Sequence, residues 1–170
     1  MILTVDELRR YIKTDLDDDV LTLKLSALED QIRKHTNNNF QNRSIRCVSE
    51  IRDGVIIAPS PHFRTGDTVQ VTNSELGDGL FVLVSDDTLS PAPPDCGECL
   101  ITKVEYPASV KMGVIELVKW DIERRDKIGI ASETISRHSV SYASVDGSNT
   151  TLGFPSALMG FLKPYTKARF

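Results

Sequence analysis

The chain has 170 residues, a length that suits one domain or one domain with a small insertion. Apolar residues make up 40% and charged residues 26%, values typical of globular rather than disordered chains. We expect no secretory leader and no membrane span, because no apolar run approaches the roughly 20 residues that cross a bilayer. Three cysteines, an odd number, favour a reducing compartment over a disulfide scaffold.

The net charge of −4 is unevenly distributed. Residues 1–42 carry −2, residues 43–106 carry −5 and residues 107–170 carry +3. A chain that binds nucleic acid non-specifically needs a basic surface, which this sequence offers only near its C-terminal end. The asymmetry favours a protein partner of complementary charge.

The first forty residues predict two helices. Thr4 and Glu7 have the spacing of a capping box, which starts a short helix over residues 5–13. The acidic run at residues 15–19 predicts a helix start rather than a calcium loop, because the glycine and glutamate of an EF-hand are missing. A second helix over residues 20–38 follows from one apolar stripe, formed by Leu21, Leu25, Leu28 and Ile32.

Residues 43–106 predict a β module. Five short segments of strand character are separated by turn signals: RSIRCVSEI, VIIAP, TVQVT, LFVLVS and LITKVEY. The proline-rich residues 85–99 predict a surface loop. Five strands with tight turns in about 60 residues are typical of a small, partly open barrel.

The last third returns to helical periodicity. Apolar residues four apart predict a long helix over residues 109–126, namely Val110, Val114, Val118 and Ile122. Residues 134–142 alternate and predict one strand, and residues 156–162 a short helix that begins at Pro155. We therefore predict an α+β fold, in which two long antiparallel helices plus short helices form a core from residues 1–42 and 107–170. Residues 43–106 are the inserted five-stranded antiparallel module, and residues 163–170 are a docking tail.

The single strand near the C terminus predicts a contact between subunits. One strand needs a partner edge, from the β module or from a neighbouring chain. The residues assigned to this contact are Thr134, Ile135, Val140 and Tyr142.

The sequence offers one weak candidate for a metal site and none for catalysis. Cys96 and Cys99 have the spacing of half a zinc site, and only Cys47 and His62 could complete it within the module. Cysteines without a functional role are the simpler interpretation. No nucleophile motif, zinc-protease motif or phosphate-binding glycine loop occurs, so we expect neither an enzyme nor a cofactor.

The C-terminal tail interleaves aromatic and basic residues. A frayed, solvated terminus is one interpretation. Docking on a partner is the other, because aromatic residues and arginine are enriched at interface anchors. The docking set is Phe161, Lys163, Tyr165, Lys167, Arg169 and Phe170.

Both ends of the chain resemble a known family. The opening LTVDELRRYIKTDLDDDVLTLKLSALEDQIRKHTN, the segment VIELVKWDIERRDKIGIASETISRHSVSYA and the ending GFPSALMGFLKPYTKARF resemble the head–tail connector proteins of long-tailed bacteriophages, also called adaptor or head completion proteins. The resemblance covers residues 1–42 and 107–170. The segment FRTGDTVQVTNSELGDGLFVLV is similar to β inserts of some members.

The resemblance implies a non-enzymatic structural protein of the virion. Members form a ring, usually of twelve copies, between the portal and a tail-side stopper or tail completion protein. The ring extends the DNA channel without sequence-specific binding, and the tail reaches toward the portal. The protein would assemble in the bacterial cytoplasm and reside at the head–tail interface.

Two alternatives stay open. The β module could be a small zinc- or nucleic-acid-binding barrel, although its charge of −5 has the wrong sign for phosphate. The chain could also be a different morphogenesis factor, such as a stopper or a tail terminator.

Overall fold

The structure, a computed structural model, describes residues 1–124, 132–135, 138–141 and 150–168. It divides into two compact units. Unit 1 comprises Met1 and Asn38–Tyr106, and unit 2 comprises Ile2–Asn37 and Pro107–Phe170. The boundaries predicted from sequence lie at residues 42/43 and 106/107. Within the described residues, no helix is both long and apolar enough to cross a membrane.

Unit 1 is a six-stranded antiparallel sheet. The strands are β1 (Gln41–Arg52), β2 (Val55–Ile56), β3 (Thr68–Thr72), β4 (Gly79–Leu83), β5 (Leu89–Ser90) and β6 (Cys96–Val104). Their order is β2-β1-β6-β3-β4-β5, so the long strands β1 and β6 lie side by side near the middle. The strand β5 falls inside the proline-rich segment predicted to be a surface loop. That segment therefore supplies a sixth strand.

The two edges of this sheet meet and nearly close it into a barrel. Val55 of β2 forms an isolated antiparallel bridge with Thr88, next to β5. The amide of Leu89 donates to the carbonyl of Gly54 at 2.8 Å. Asp53 and Gly54 both have positive φ, 50° and 75°, which suits the two-residue turn between β1 and β2. Closure satisfies backbone groups that an open edge would expose.

The barrel encloses its own apolar core. From Ile45 to the end of β1, inward residues alternate with exposed ones, as expected of a strand with one buried face. The buried cluster consists of Ile51, Ile56, Phe63, Val69, Val71, Leu83, Leu89, Cys99 and Ile101. Residues from all six strands contribute, so the module has an apolar core of its own.

Unit 2 contains the three α-helices of the described residues. They are α1 (Val5–Arg9), α2 (Asp18–Thr36) and α3 (Ala108–Arg124). Thr4 and Glu7 form the capping box of α1. Asn37 ends α2 in the left-handed conformation, with φ of 48°. The stripe predicted for α2 is buried, with Leu21, Leu25 and Ile32 at 0% exposure.

The rest of unit 2 is short. The paired strands β9 (Thr150–Thr151) and β10 (Phe154–Pro155) lead into a 3₁₀ helix, Ser156–Tyr165. Phe154 is buried and contacts Trp120 of α3, with ring centroids 5.6 Å apart. The 3₁₀ helix continues through Pro164, whereas the sequence predicted a helix that stops before it.

The predicted fold class is wrong. The structure is mostly β, and the described residues form only four helices, one of them 3₁₀. The two long helices do not make an antiparallel core, because the 3₁₀ helix contacts each of them more extensively than they contact each other. Periodicity identified both helices, but a single stripe on each does not say which element covers it.

The prediction of a single strand near the C terminus is also wrong. Two strands, β7 (Ser132–Ile135) and β8 (His138–Ser141), pair antiparallel with Ile135 opposite His138. The partner edge therefore comes from the same segment of chain. Thr134, Ile135 and Val140 belong to this hairpin, and Tyr142 lies outside the described residues.

Candidate functional site

Two aromatic residues of the predicted docking set, Phe161 and Tyr165, make contacts inside unit 2. Phe161 packs on α3 at Gly113, where an added Cβ would come within 2.5 Å of three ring atoms. The hydroxyl of Tyr165 lies 2.6 Å from the Ser109 hydroxyl, in the first turn of α3. Leu162 between them is 1% exposed. Phe161 and Tyr165 therefore anchor the 3₁₀ helix on α3, and both side chains remain half-buried.

The last described residues return to the C-terminal end of α2. The amide of Lys167 donates to the carbonyl of Thr36 at 2.8 Å. The side-chain amide of Asn37 donates to the Ala168 carbonyl at 2.9 Å. The tail is thus held to the helix as far as residue 168. Arg169 and Phe170, the last two members of the docking set, lie outside the described residues.

The two lysines of the docking set are exposed. Lys163 and Lys167 both lie on the surface of unit 2. Arg33 and Lys34 occupy the last turn of α2, beside the point where Lys167 is attached. Cations at this end of a helix complement its dipole. We call Arg33, Lys34, Lys163 and Lys167 the basic end of unit 2, in which Lys34 is paired with Asp30 at 2.7 Å.

The acidic run before α2 forms a turn held by one arginine. The Arg9 guanidinium donates to the Asp18 carboxylate and to the carbonyls of Thr14 and Leu16. Asp17 occupies the N-cap position without a side-chain hydrogen bond to the helix. The capping role predicted from sequence is therefore not carried by this carboxylate. The turn joins α1 to α2.

The three cysteines share the inner face of the barrel. Ser49 lies opposite Cys99 and Ile51 lies opposite Cys96, so three residue steps on β6 match two on β1. The extra residue is a β-bulge, and it turns both thiols to the same side. Cys47 also packs against the barrel core. Both cysteines of the pair thus lie in a strand and not in the predicted loop.

The environment of the thiols does not suit zinc. The Cys99 thiol is 1% exposed and donates to the Ser49 carbonyl at 3.1 Å. Burial, together with the neighbouring thiols, raises the pKa of Cys99 to about 12, and burial also raises the pKa of Cys47. Zinc requires thiolates. His62 is exposed, and the described residues contain no cluster of three His, Cys, Asp or Glu side chains that could hold a metal.

Gly113, on which the Phe161 ring packs, was not predicted from the sequence. Gly113 lies in the interior of α3, where glycine costs roughly 1 kcal/mol relative to alanine. An interior glycine is therefore a signal of close packing, and the structure places the Phe161 ring against it. The spacing of 48 residues between the two gave no hint of the pairing.

A scan against models of protein families finds no match, and a search of curated proteins finds none either. The sites described above therefore rest on the chain's own geometry.

Proposed function

We propose that this chain is a head–tail adaptor of a long-tailed bacteriophage. It would be a structural virion protein and not an enzyme. Copies would form a ring, of twelve in the virion, between the portal and a tail-side stopper or completion protein. DNA would pass through the ring without sequence-specific contacts. The support from sequence is the resemblance of residues 1–42 and 107–170 to that family.

The observation that carries the proposal is the basic end of unit 2. Its lysines, Lys163 and Lys167, stand on a backbone that is fixed by Phe161, Tyr165 and the Thr36 carbonyl. A surface ordered before binding loses less conformational entropy when a partner docks. A protein that joins two assemblies needs such a surface, and this one would face an acidic region of the portal.

The proposal assigns no chemistry to the chain. The thiols of the barrel lie on its inner face, burial raises the pKa of Cys47 and Cys99, and the exposed acidic turn before α2 is tied together by Arg9. These thiols and carboxylates make contacts within the fold, and this supports a structural role. The alternative zinc-binding barrel has no comparable observation in its favour.

The experiment measures capture by portal-bearing heads. The Lys163→Ser/Lys167→Ser double variant tests the basic end without removing the Tyr165 anchor. We expect it to lose most co-sedimentation with DNA-filled, tailless heads and to keep its circular dichroism spectrum. The matched control is Lys13→Ser/Lys119→Ser, which removes two exposed lysines elsewhere in unit 2.

Negative-stain images of the concentrated wild-type protein test the ring itself. Rings with a central channel, together with capture by heads, would support the proposal. A wild-type protein that is not captured by heads would overturn it, whatever its state of association.

A further inference from the structure

The loop between β3 and β4 is ordered by its own side chains. The amide and hydroxyl of Ser74 both donate to the Asp78 carboxylate, at 2.8 and 2.7 Å. The amide of Gly77 donates to the Ser74 hydroxyl at 2.8 Å. These bonds lower the pKa of Asp78, so the carboxylate stays charged and keeps the loop closed at neutral pH. The loop is therefore a fixed feature of the barrel surface.

This loop displays a leucine at its tip. Leu76 is 85% exposed, the highest value among the exposed large apolar side chains of the described residues. Its neighbour Glu75 is exposed as well. An apolar side chain held on an ordered loop loses little conformational entropy when it enters a pocket.

Unit 2 contains a hollow of matching size between α1 and α3. It measures about 200 Å³. That is below the roughly 300–1,000 Å³ of small-molecule pockets, so it suits one inserted side chain. Its apolar lining includes Tyr11 and Met112, which remain 61% and 45% exposed. Leu3, Ala108 and Ile115 complete the apolar part.

The charge at the rim of the hollow complements the loop. Arg10 and Lys111 line it, and Glu7 offsets part of their charge from 3.6 Å away from the Lys111 ammonium. The rim therefore keeps an excess of positive charge. The loop brings Glu75, from a module whose net charge is −5. Opposite charges around an apolar contact set its orientation and disfavour wrong partners.

We propose that Leu76 of one copy inserts into the hollow lined by Tyr11 and Met112 on a second copy, with Glu75 beside Arg10. The two surfaces differ, so the contact is heterologous: each copy offers one loop and one hollow. Repetition of such a contact makes a ring if the rotation closes. That last step rests on the proposed function, whereas the contact itself does not.

A second groove of unit 2 fits the loop less well. It lies between α2, α3 and the β9–β10 turn, and its charged residues are Lys24 and Asp121. These two are already paired at 2.5 Å. The groove therefore offers no excess positive charge to Glu75, and the hollow beside Arg10 is the better match.

Mixed variants test the contact by analytical ultracentrifugation. Leu76→Asp removes the loop anchor and Met112→Asp spoils the hollow. We expect each variant alone to associate roughly thirtyfold more weakly than wild type, the loss expected at a hot spot. An equimolar mixture should form 1:1 dimers and nothing larger, because only one loop and one hollow remain functional.

Matched controls separate this contact from general effects of charge. Val84→Asp on the barrel and Leu23→Asp on α2 alter other exposed apolar side chains, 56% and 72% exposed, and should associate like wild type. Glu75→Lys should weaken association, and Glu75→Lys combined with Arg10→Glu should restore it.

Three outcomes would overturn the contact: association unchanged in Leu76→Asp, no dimer in the mixture, or a wild-type chain that stays monomeric at every concentration. None of them bears on capture by portal-bearing heads. The two proposals can therefore fail separately.

Discussion

The ring of Phe161 lies directly over Gly113, so close that a methyl group there would meet three ring atoms at 2.5 Å. The contact joins the 3₁₀ helix to α3 across 48 residues of sequence. It places the lysines of the basic end on a fixed base. Packing of one aromatic ring therefore determines where the proposed docking surface stands.

Gly113→Ala is expected to destabilise unit 2 by about 1–2 kcal/mol. Overpacking costs about 1–3 kcal/mol, and the better helix propensity of alanine returns up to about 1. The measurement is urea unfolding followed by the fluorescence of Trp120, the single tryptophan. Gly160→Ala is the control, because nothing lies within 4 Å of its added Cβ. Equal stability of the two variants would contradict the packing argument.

The capping box of α1 predicts a pH-dependent loss of stability. The Thr4 amide donates to the Glu7 carboxylate, and with Lys111 nearby this lowers the Glu7 pKa. A lowered pKa in the folded state gives stability that is present above pH 4.5 and lost as the pH falls through the folded value. Thr4→Ala should cost about 1 kcal/mol at pH 7.

Glu7→Gln separates the charge from the cap. Glutamine still fills the third position of a capping box, so at pH 7 it should cost less than Thr4→Ala. It should also flatten the decline of stability below pH 4.5, since the group that titrates is gone. Acid titration by circular dichroism measures this, and an unchanged decline would show that other carboxylates are responsible.

How much of the fold could be predicted depends on how far apart in sequence the interacting residues lie. Thr4 and Glu7 act over three residues, and the stripe through Leu21 and Ile32 repeats along one helix, so local patterns identified α1 and α2. Their partners lie far away in sequence. The cover of α2 and α3 by the 3₁₀ helix depends on contacts between distant residues, which periodicity does not record.

In the candidate site, too, local features were predictable and contacts between distant residues were not. Lys163 and Lys167 were assigned to a docking tail because basic and aromatic residues interleave there, and both are exposed. Phe161 was assigned to docking because aromatic residues favour interfaces, and its half-buried ring packs on Gly113 within unit 2, a contact that composition does not predict. Cys96 was placed in a loop by the preceding prolines, whereas closure of the barrel and a β-bulge put it in β6. Composition alone predicts neither the packing of Phe161 on Gly113 nor the position of Cys96 in β6.

Two lysine pairs of unit 2 predict unequal effects on stability. Lys24 binds Asp121, whose side chain is 9% exposed, whereas Lys34 binds Asp30 with side chains 75% and 61% exposed. Lys24→Met leaves a carboxylate that is poorly hydrated, and we expect a loss of about 1–2 kcal/mol. Lys34→Met should cost no more than about 0.5 kcal/mol. Urea unfolding measures the free energy of unfolding of both variants. Equal losses would show that Asp121 is hydrated in the folded chain.

The Cys99 thiol predicts slow, alkaline-dependent labelling. Burial and the neighbouring thiols raise its pKa from 9.0 to about 12, and the thiol donates to the Ser49 carbonyl. Because only the thiolate reacts, iodoacetamide at pH 8 should modify Cys96 and Cys47 before Cys99. Peptide mass spectrometry measures the order, with protein unfolded in urea as the control in which all three react alike. Because its pKa is raised in the folded state, Cys99 also makes a contribution to the free energy of unfolding that is fully present below pH 9 and is lost as the pH rises toward 12. Equal labelling of Cys99 and Cys96 in the folded protein would contradict the inward position of this thiol.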